Sequence, residues 1–350
     1  MTTAAERIDL APGYSISRII NGCWQLSPTH GGGPGSKRAA LDRFAELVAN
    51  GYTTFDCADI YEGTEELLGQ FRRSLADPQS VQFHTKYVPD KSSLADLKPA
   101  DVAAAVDRSL SALGVERIDL LQFHWWSYDV GGMAAALSEL RRAQAAGKIR
   151  LIGVTNFDTP HLEQMIDDGV PVVSMQTQYS LLDRRPETVL NDYVMTSGVH
   201  LLAYGALAGG FLSERWLGEP SPSEMNRSLQ KYRLVIAEAG GWERFQGLLR
   251  VLAGIALKHG VTISSVAARW VLDRPSVAAI ILGTGRTSRV SGYADITSLS
   301  MDEVDQRAIE QCLATLQIPP GDTYELERDP HGKHQGIIKT DLRNQAEAGN

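Results

Sequence analysis

The sequence predicts an α/β protein built as a (β/α)8 barrel of the TIM type. Three observations predict it. Short apolar runs alternate with longer amphipathic ones, eight of the short runs fit strands, and chemically active side chains fall at successive strand ends, where such barrels keep their chemistry. Ile8-Asp9-Leu10 and Tyr14-Ser15-Ile16 flank Ala11-Pro12-Gly13, which reads as a hairpin ahead of the barrel. Strands are expected at residues 18–21, 53–56, 81–86, 119–124, 150–154, 172–176, 199–204 and 277–282. Amphipathic helices are expected at 36–49, 62–74, 99–113, 133–146 and 160–168. Gly51, Gly114, Gly147 and Gly169 stand just past four of them, where a left-handed residue ends a helix at little cost.

Three stretches depart from the repeat. Gly31-Gly32-Gly33-Pro34-Gly35-Ser36-Lys37 resembles a phosphate loop only superficially, because the Walker pattern needs Gly-Lys followed by Ser or Thr; it reads as a mobile loop ending in Ser36 as helix N-cap. After Tyr204, about forty residues pass before the next clear helix, more than an ordinary βα loop needs. With Trp216, Pro220, Pro222 and Trp242, this stretch reads as a long active-site loop after the seventh strand. Residues 1–318 then form one barrel domain and 319–350 a polar C-terminal tail. Three roles are open to that tail: folding over the barrel mouth, mediating oligomers, or staying mobile. Asp329, His331 and His334 suggest a metal, but an exposed, solvated tail is the favoured reading there.

Composition narrows the function by exclusion. Among 350 residues, 43% are hydrophobic, enough for a large core, and the net charge of −8 comes with no dense basic cluster to meet nucleic acid or an acidic membrane. No leader pattern and no spanning apolar window is found, so the protein reads as soluble and cytoplasmic, a monomer or small homo-oligomer. Cys23, Cys57 and Cys312 are not paired at ligand spacing, so no metal is expected. Asn226-Arg227-Ser228 matches a glycosylation sequon, a pattern short enough to arise by chance.

The chemistry concentrates in Asp56, Tyr61, Lys86 and His124. Singly, Asp56 with Lys86 reads as a rim ion pair and His124 as a core histidine. Together with Tyr61 they make a proton-transfer site. A phenol titrates near 10 and is a poor acid-base group at neutrality; an adjacent ammonium pulls it toward working pH, a carboxylate holds the ammonium, and a neutral imidazole orients a carbonyl.

The segments that carry these residues resemble the aldo-keto reductase family over most of the chain. The family's D-x-A-x-x-Y pattern is met by Asp56-Cys57-Ala58-Asp59-Ile60-Tyr61, its T-K strand end by Thr85-Lys86, and its D-L-x-x-x-H pattern by Asp119 through His124. Gly153-Val154-Thr155-Asn156-Phe157, Met175-Gln176-Thr177-Gln178-Tyr179 and the run from Leu201 to Leu212 continue the match in order. The resemblance implies a catalytic tetrad of Asp56, Tyr61, Lys86 and His124 and a hairpin that plugs the barrel's bottom. It also implies nicotinamide contacts from Thr155, Asn156 and Gln176, ring stacking from Tyr204, and further cofactor contacts from Gly22, Cys23, Asp56, Gly205, Leu207, Gly209 and Gly210.

After the eighth strand, Gly283, Arg286 and Arg289 stand where the family grips an adenosine 2′-phosphate, and the two arginines favour NADP(H) over NAD(H). Two departures are visible there: Gly283 replaces a common lysine, and Gly292-Tyr293 replaces the family's Glu-Asn. Trp24 and at least one of Trp125 and Trp126 are expected to wall the substrate site, although half-buried rim packing is the plainer reading of each. The implied activity is hydride transfer between NADP(H) and an aldehyde or ketone. Alternatives are an NAD(P)-dependent sugar or alcohol dehydrogenase running oxidatively, and, from another class, a cofactor-binding regulatory subunit with little turnover.

Overall fold

The computed structural model describes residues 5–28, 35–223, 225–285 and 290–342. Ten strands are present among them. β1 (Arg7–Ala11) and β2 (Tyr14–Ser17) pair antiparallel as the expected hairpin. The other eight are parallel and close a barrel: β3 (Ile19–Gly22), β4 (Thr54–Asp56), β5 (Gln82–Tyr87), β6 (Ile118–Phe123), β7 (Ile149–Thr155), β8 (Val172–Gln178), β9 (His200–Tyr204) and β10 (Val277–Gly283), which returns to β3. All eight expected strands are found, displaced by no more than two residues at an end. Strands covered on both faces read as near-continuous apolar runs, which is why they were visible in sequence.

The helices needed for the return crossovers include α1 (Lys37–Ala49), α2 (Thr64–Ser74), α3 (Pro99–Leu113), α4 (Met133–Ala145) and α5 (Thr159–Asp167). Ser36 caps α1 by accepting the Ala39 amide; residues 31–34 of the Gly-rich stretch lie outside the described residues. α6 (Leu190–Ser197) follows β8.

The stretch after β9 corrects the expectation of a long loop. It contains α7 (Arg227–Glu238), twelve residues long, followed directly by α8 (Trp242–His259) and α9 (Ile263–Leu272). Asn226 caps α7 by accepting the Leu229 amide, so the asparagine of the sequon has a structural task. α10 (Val290–Ser298), α11 (Glu303–Leu313) and the single turn α12 (Glu325–Arg328) follow β10.

Side chains alternate along each strand, and this alternation layers the barrel interior. The floor layer gathers Leu10, Tyr14 and Ile16 of the hairpin against Ile20, Leu120, Leu202, Ala278 and Ala279. The hairpin therefore plugs the bottom. Two residues further along β5 and β6, the inward positions are polar: Lys86 follows His84, and Gln122 follows Leu120. Outside the strands, Phe44, Phe55, Phe71 and Phe83 pack the helices to the barrel, with Phe44 meeting Phe55 and Phe71 edge-on at 5.2 and 5.3 Å.

That reading of the tail is corrected in part: among its described residues Asp329 and His331 are exposed, as expected, but others are not. Thr323, Tyr324, Glu327 and His334 are buried, and the segment lies across the barrel mouth. Among the described residues no cluster of three or more His, Cys, Asp or Glu side chains is arranged to hold a metal. Among the described residues no single helix is long and apolar enough to cross a membrane.

Candidate active site

Parallel register sets the polar layer at one height. Gly22 pairs with Asp56, Lys86 with Gln122, and Thr155 with Gln176. Four strands thus aim polar side chains at one point. Lys86 Nζ donates to Asp56 Oδ2 at 2.6 Å and to the Cys57 carbonyl at 2.8 Å. Asp56 Oδ1 also accepts from Gln176 Nε2 at 2.7 Å and from Gln122 Nε2 at 3.1 Å. Three donors satisfy a carboxylate only 4% exposed. Gln122 had no place in the sequence reading, although it sits inside the D-L-x-x-x-H run.

The Tyr61 ring centroid lies 5.3 Å from Lys86 Nζ. Burial pushes its phenol up to about 12; Lys86 pulls the other way, and Asp56 adds to the rise. The expected descent toward neutrality is therefore corrected: desolvation exceeds the pull of an ammonium already paired with a carboxylate. Burial also pulls Lys86 down, but Asp56 and Tyr61 outweigh it and its net pKa is raised. At neutral pH the site holds a protonated phenol beside a charged ammonium.

His124 comes just past the end of β6 and is 2% exposed. Its Nδ1 lies 3.0 Å from the Thr155 carbonyl, which only accepts, so Nδ1 carries a proton. Burial, helped by the Arg328 charge, lowers the imidazole to about 3. A neutral His124 then presents Nε2 as an acceptor, and that atom is buried with no hydrogen-bond partner among the described residues. It suits a hydroxyl rather than a bare carbonyl oxygen, which changes the orienting role expected for it.

The nicotinamide-binding candidates lie on the next strand ends. Asn156 holds a left-handed φ of 61°, a conformation asparagine tolerates better than most side chains. Its amide donates to Gln176 O at 2.9 Å, and its side-chain oxygen accepts from the Tyr204 hydroxyl at 2.9 Å. Thr155, Asn156, Gln176 and Tyr204 thus stand together, a polar and ring set that fits a nicotinamide carboxamide and a stacked ring, with Gln176 offering its Oε1 as an acceptor because its Nε2 is spent on Asp56 and Gln122. Cys23 is buried, its amide donating to Asp56 O at 2.9 Å.

In the loop after β9, Leu207 O accepts the Gly210 amide at 2.9 Å. Gly205 and Gly209 face Tyr232, whose hydroxyl would lie 2.5 Å from a Cβ at Gly205 and whose ring would lie 2.5 Å from one at Gly209. Their lack of a side chain thus also serves packing against α7. Gly283 faces the Gln25 side chain in the same way, with Oε1 2.6 Å from a built Cβ. Arg286 and Arg289 lie outside the described residues.

Of the tryptophans, Trp24 begins a short 3-10 turn after β3 and is partly buried. Trp126 meets the His124 ring edge-to-face at 4.3 Å, its Nε1 donating to Pro89 O at 2.7 Å. Trp125 is corrected: it is wholly buried, donates to Val130 O at 3.2 Å and leans on Phe123, so it belongs to the core.

The tail supplies what sequence reading missed. Tyr324, at φ 63°, sets its ring 5.6 Å from the His124 ring. Arg328 donates to Asn156 O and Trp125 O, both at 2.7 Å, tying two strand-end loops together. Glu327 accepts from Arg185 at 2.9 and 3.2 Å, while Arg185 also holds both oxygens of Asp183 at 2.9 and 2.7 Å. Burial would raise Glu327, but Arg185 and Lys231 outweigh it and hold it down to about 2. Lys231 of α7 stands 5.1 Å from the Tyr204 ring centroid. The available signal was the charge density of Asp183-Arg184-Arg185 and of the tail itself.

A closed parallel barrel thus brings an acid, a phenol, an amine and an imidazole to its strand ends, and comparison with known proteins supplies the family. The aldo/keto reductase family profile matches residues 18–314. The chain belongs to the aldo/keto reductase family, oxidoreductases that act on carbonyl compounds with nicotinamide cofactors. It is 27% identical to aldo-keto reductase YhdN of Bacillus subtilis (strain 168), over 89% of this chain and 95% of that protein. It is 24% identical to an NADH-specific methylglyoxal reductase of Escherichia coli (strain K12), over 87% and 96%. A 32% identity to flagellar radial spoke protein 5 of Chlamydomonas reinhardtii covers 62% of this chain and only 49% of that protein. Among solved structures, the glycerol dehydrogenase AKR11B4 from Gluconobacter oxydans aligns with a TM-score of 0.72 at 25% identity, covering 89% of this chain and 95% of that one.

Proposed function

We propose that this protein reduces an aldehyde or ketone to an alcohol with NADPH. One observation carries the reading: the buried Lys86–Asp56 pair at 2.6 Å lies beside a Tyr61 phenol kept protonated, and His124 Nε2, just past the end of β6, is buried with no hydrogen-bond partner among the described residues. When bound, the nicotinamide supplies the hydride. Tyr61 gives its proton to the substrate oxygen as negative charge develops there. Lys86 stabilises the phenolate left behind, and Asp56, held by Gln122 and Gln176, keeps Lys86 charged and aimed. His124 accepts from the hydroxyl of the alcohol. Thr155, Asn156 and Gln176 hold the carboxamide, and Tyr204 fixes which ring face is exposed. Trp24 and Trp126 wall the substrate, and their flat faces suit apolar or aromatic carbonyls.

The protonated phenol favours this direction over the oxidative one, which needs Tyr61 as a base. The intact tetrad favours turnover over a purely regulatory role. Arg286 and Arg289 support NADPH by their charge and their position in the sequence after the last strand; the NADH-specific relative makes the choice of cofactor the first thing to measure. The experiment is a titration of purified protein with NADPH and NADH, followed by tryptophan quenching and a carbonyl substrate screen. At least tenfold tighter NADPH binding with carbonyl-dependent oxidation is the expected result. Preference for NADH moves the reading to an NAD-dependent enzyme, and no binding of either removes it.

A further inference from the structure

We propose that the barrel floor, opposite the strand-end chemistry, carries a second site that binds a small polyanion. A cavity of about 880 Å³ opens there between the hairpin turn at Gly13–Ser15, the C-terminal end of α2 and the turns that lead into β5, β6 and β7. Such a volume is in the range of small-molecule sites. Arg72, Arg117 and Arg150 line it.

Arg72 donates to Gly114 O at 3.0 Å. Arg150 donates to Gly13 O at 2.5 Å and lies over the Tyr14 ring at 4.6 Å. Arg117 is exposed. Among the described residues none of the three has a carboxylate within 4.0 Å.

Two carboxylates share the cavity. Asp119 spends Oδ2 on the Phe83 amide at 2.9 Å, and Glu116 is exposed on the turn before β6. Three cations against two carboxylates leave the lining positive, and Arg73, which packs on Gly114, adds to the same face. This occurs in a chain whose net charge is −8. A guanidinium held by one backbone carbonyl keeps most of its donor fork free, and the fork matches phosphate or carboxylate oxygens bidentately. The site therefore takes a molecule with at least two anionic groups, one held by Arg117 and the other by Arg72 and Arg150.

Inorganic pyrophosphate is the probe. Calorimetric titration into the full chain is compared with R117A, R117K and the double variant R286A/R289A, which alters the expected cofactor end. Saturable binding is expected, weakened about tenfold in R117A by loss of a charge-assisted pair, with R117K intermediate and R286A/R289A retaining the floor event. Arg117 is exposed, so a melting curve matching the unmodified protein is expected alongside. Absence of saturable binding overturns the proposal. So does binding that survives R117A and disappears in R286A/R289A, since the anion then sits at the cofactor end.

Discussion

The rim of the barrel and the tail that crosses it are built by opposite means. At the rim, Asp56, Lys86, Gln122 and Gln176 meet because four parallel strands in register repeat one rule, an inward side chain every second residue. In the tail, Tyr324, Glu327 and Arg328 reach the same mouth through pairings that each occur once, with Arg185, Asn156 and Trp125. The difference teaches that repeated geometry places chemical groups, while single long-range contacts close the space around them.

The largest expected effect separates the two regions. Phenylalanine at Tyr61 removes the proton donor and should lower kcat by about 10²–10⁴-fold, with cofactor affinity and melting temperature unchanged. If most of kcat survives, proton transfer does not run through the rim. Alanine at Glu327 is the converse. It leaves Arg185 buried with one carboxylate partner, a loss on the order of 3–5 kcal/mol, read by denaturant unfolding and by faster proteolysis of the tail.

Glu327 also gives the tail a sign with pH. Its folded pKa, about 2, lies below the ordinary glutamate value of about 4.3. Its contribution is therefore complete above the unfolded value and is lost as pH falls from there toward the folded one. E327Q should flatten that part of the acid unfolding curve; an unchanged curve would detach Glu327 from the tail's stability.

A smaller effect sharpens the rim's chemistry. With Tyr61 near 12, reduction should be nearly flat through neutral pH, while alcohol oxidation should rise about tenfold per unit toward alkaline pH as the phenolate forms. A flat oxidation profile would mean that another group takes the proton. The smallest is alanine at Trp126, which touches His124 but donates no proton to substrate. We expect about a fivefold rise in KM for aromatic carbonyls with kcat kept, and unchanged kinetics across a substrate panel would place Trp126 in rim packing only.

The same contrast explains what was legible. Strands β3 to β10 were readable because both faces are buried, and Asp56, Lys86 and His124 because they close consecutive strands. Trp125 and Trp126 are adjacent and chemically alike, so only the turn after β6 decides which one enters the core. α7 was missed because Ser221, Pro222 and Ser223 lead into a helix whose buried face, Tyr232, Val235 and Ile236, is short. The tail looked solvated because Glu327 and His334 are polar; its burial depends on Arg185, 142 residues away in sequence from Glu327.

That separation gives the Arg185–Glu327 contact a consequence in time. Chains fold as they are made, N-terminal parts first, and residues 323–328 follow every barrel strand. A nascent chain stopped after β10 would already hold Asp56, Tyr61, Lys86 and His124, yet Arg185 would have Asp183 alone and His124 would lack Tyr324 and Arg328 beside it. Synthesis thus assembles the proposed reactive groups first and completes their enclosure last, so an interrupted product carries those side chains without their cover.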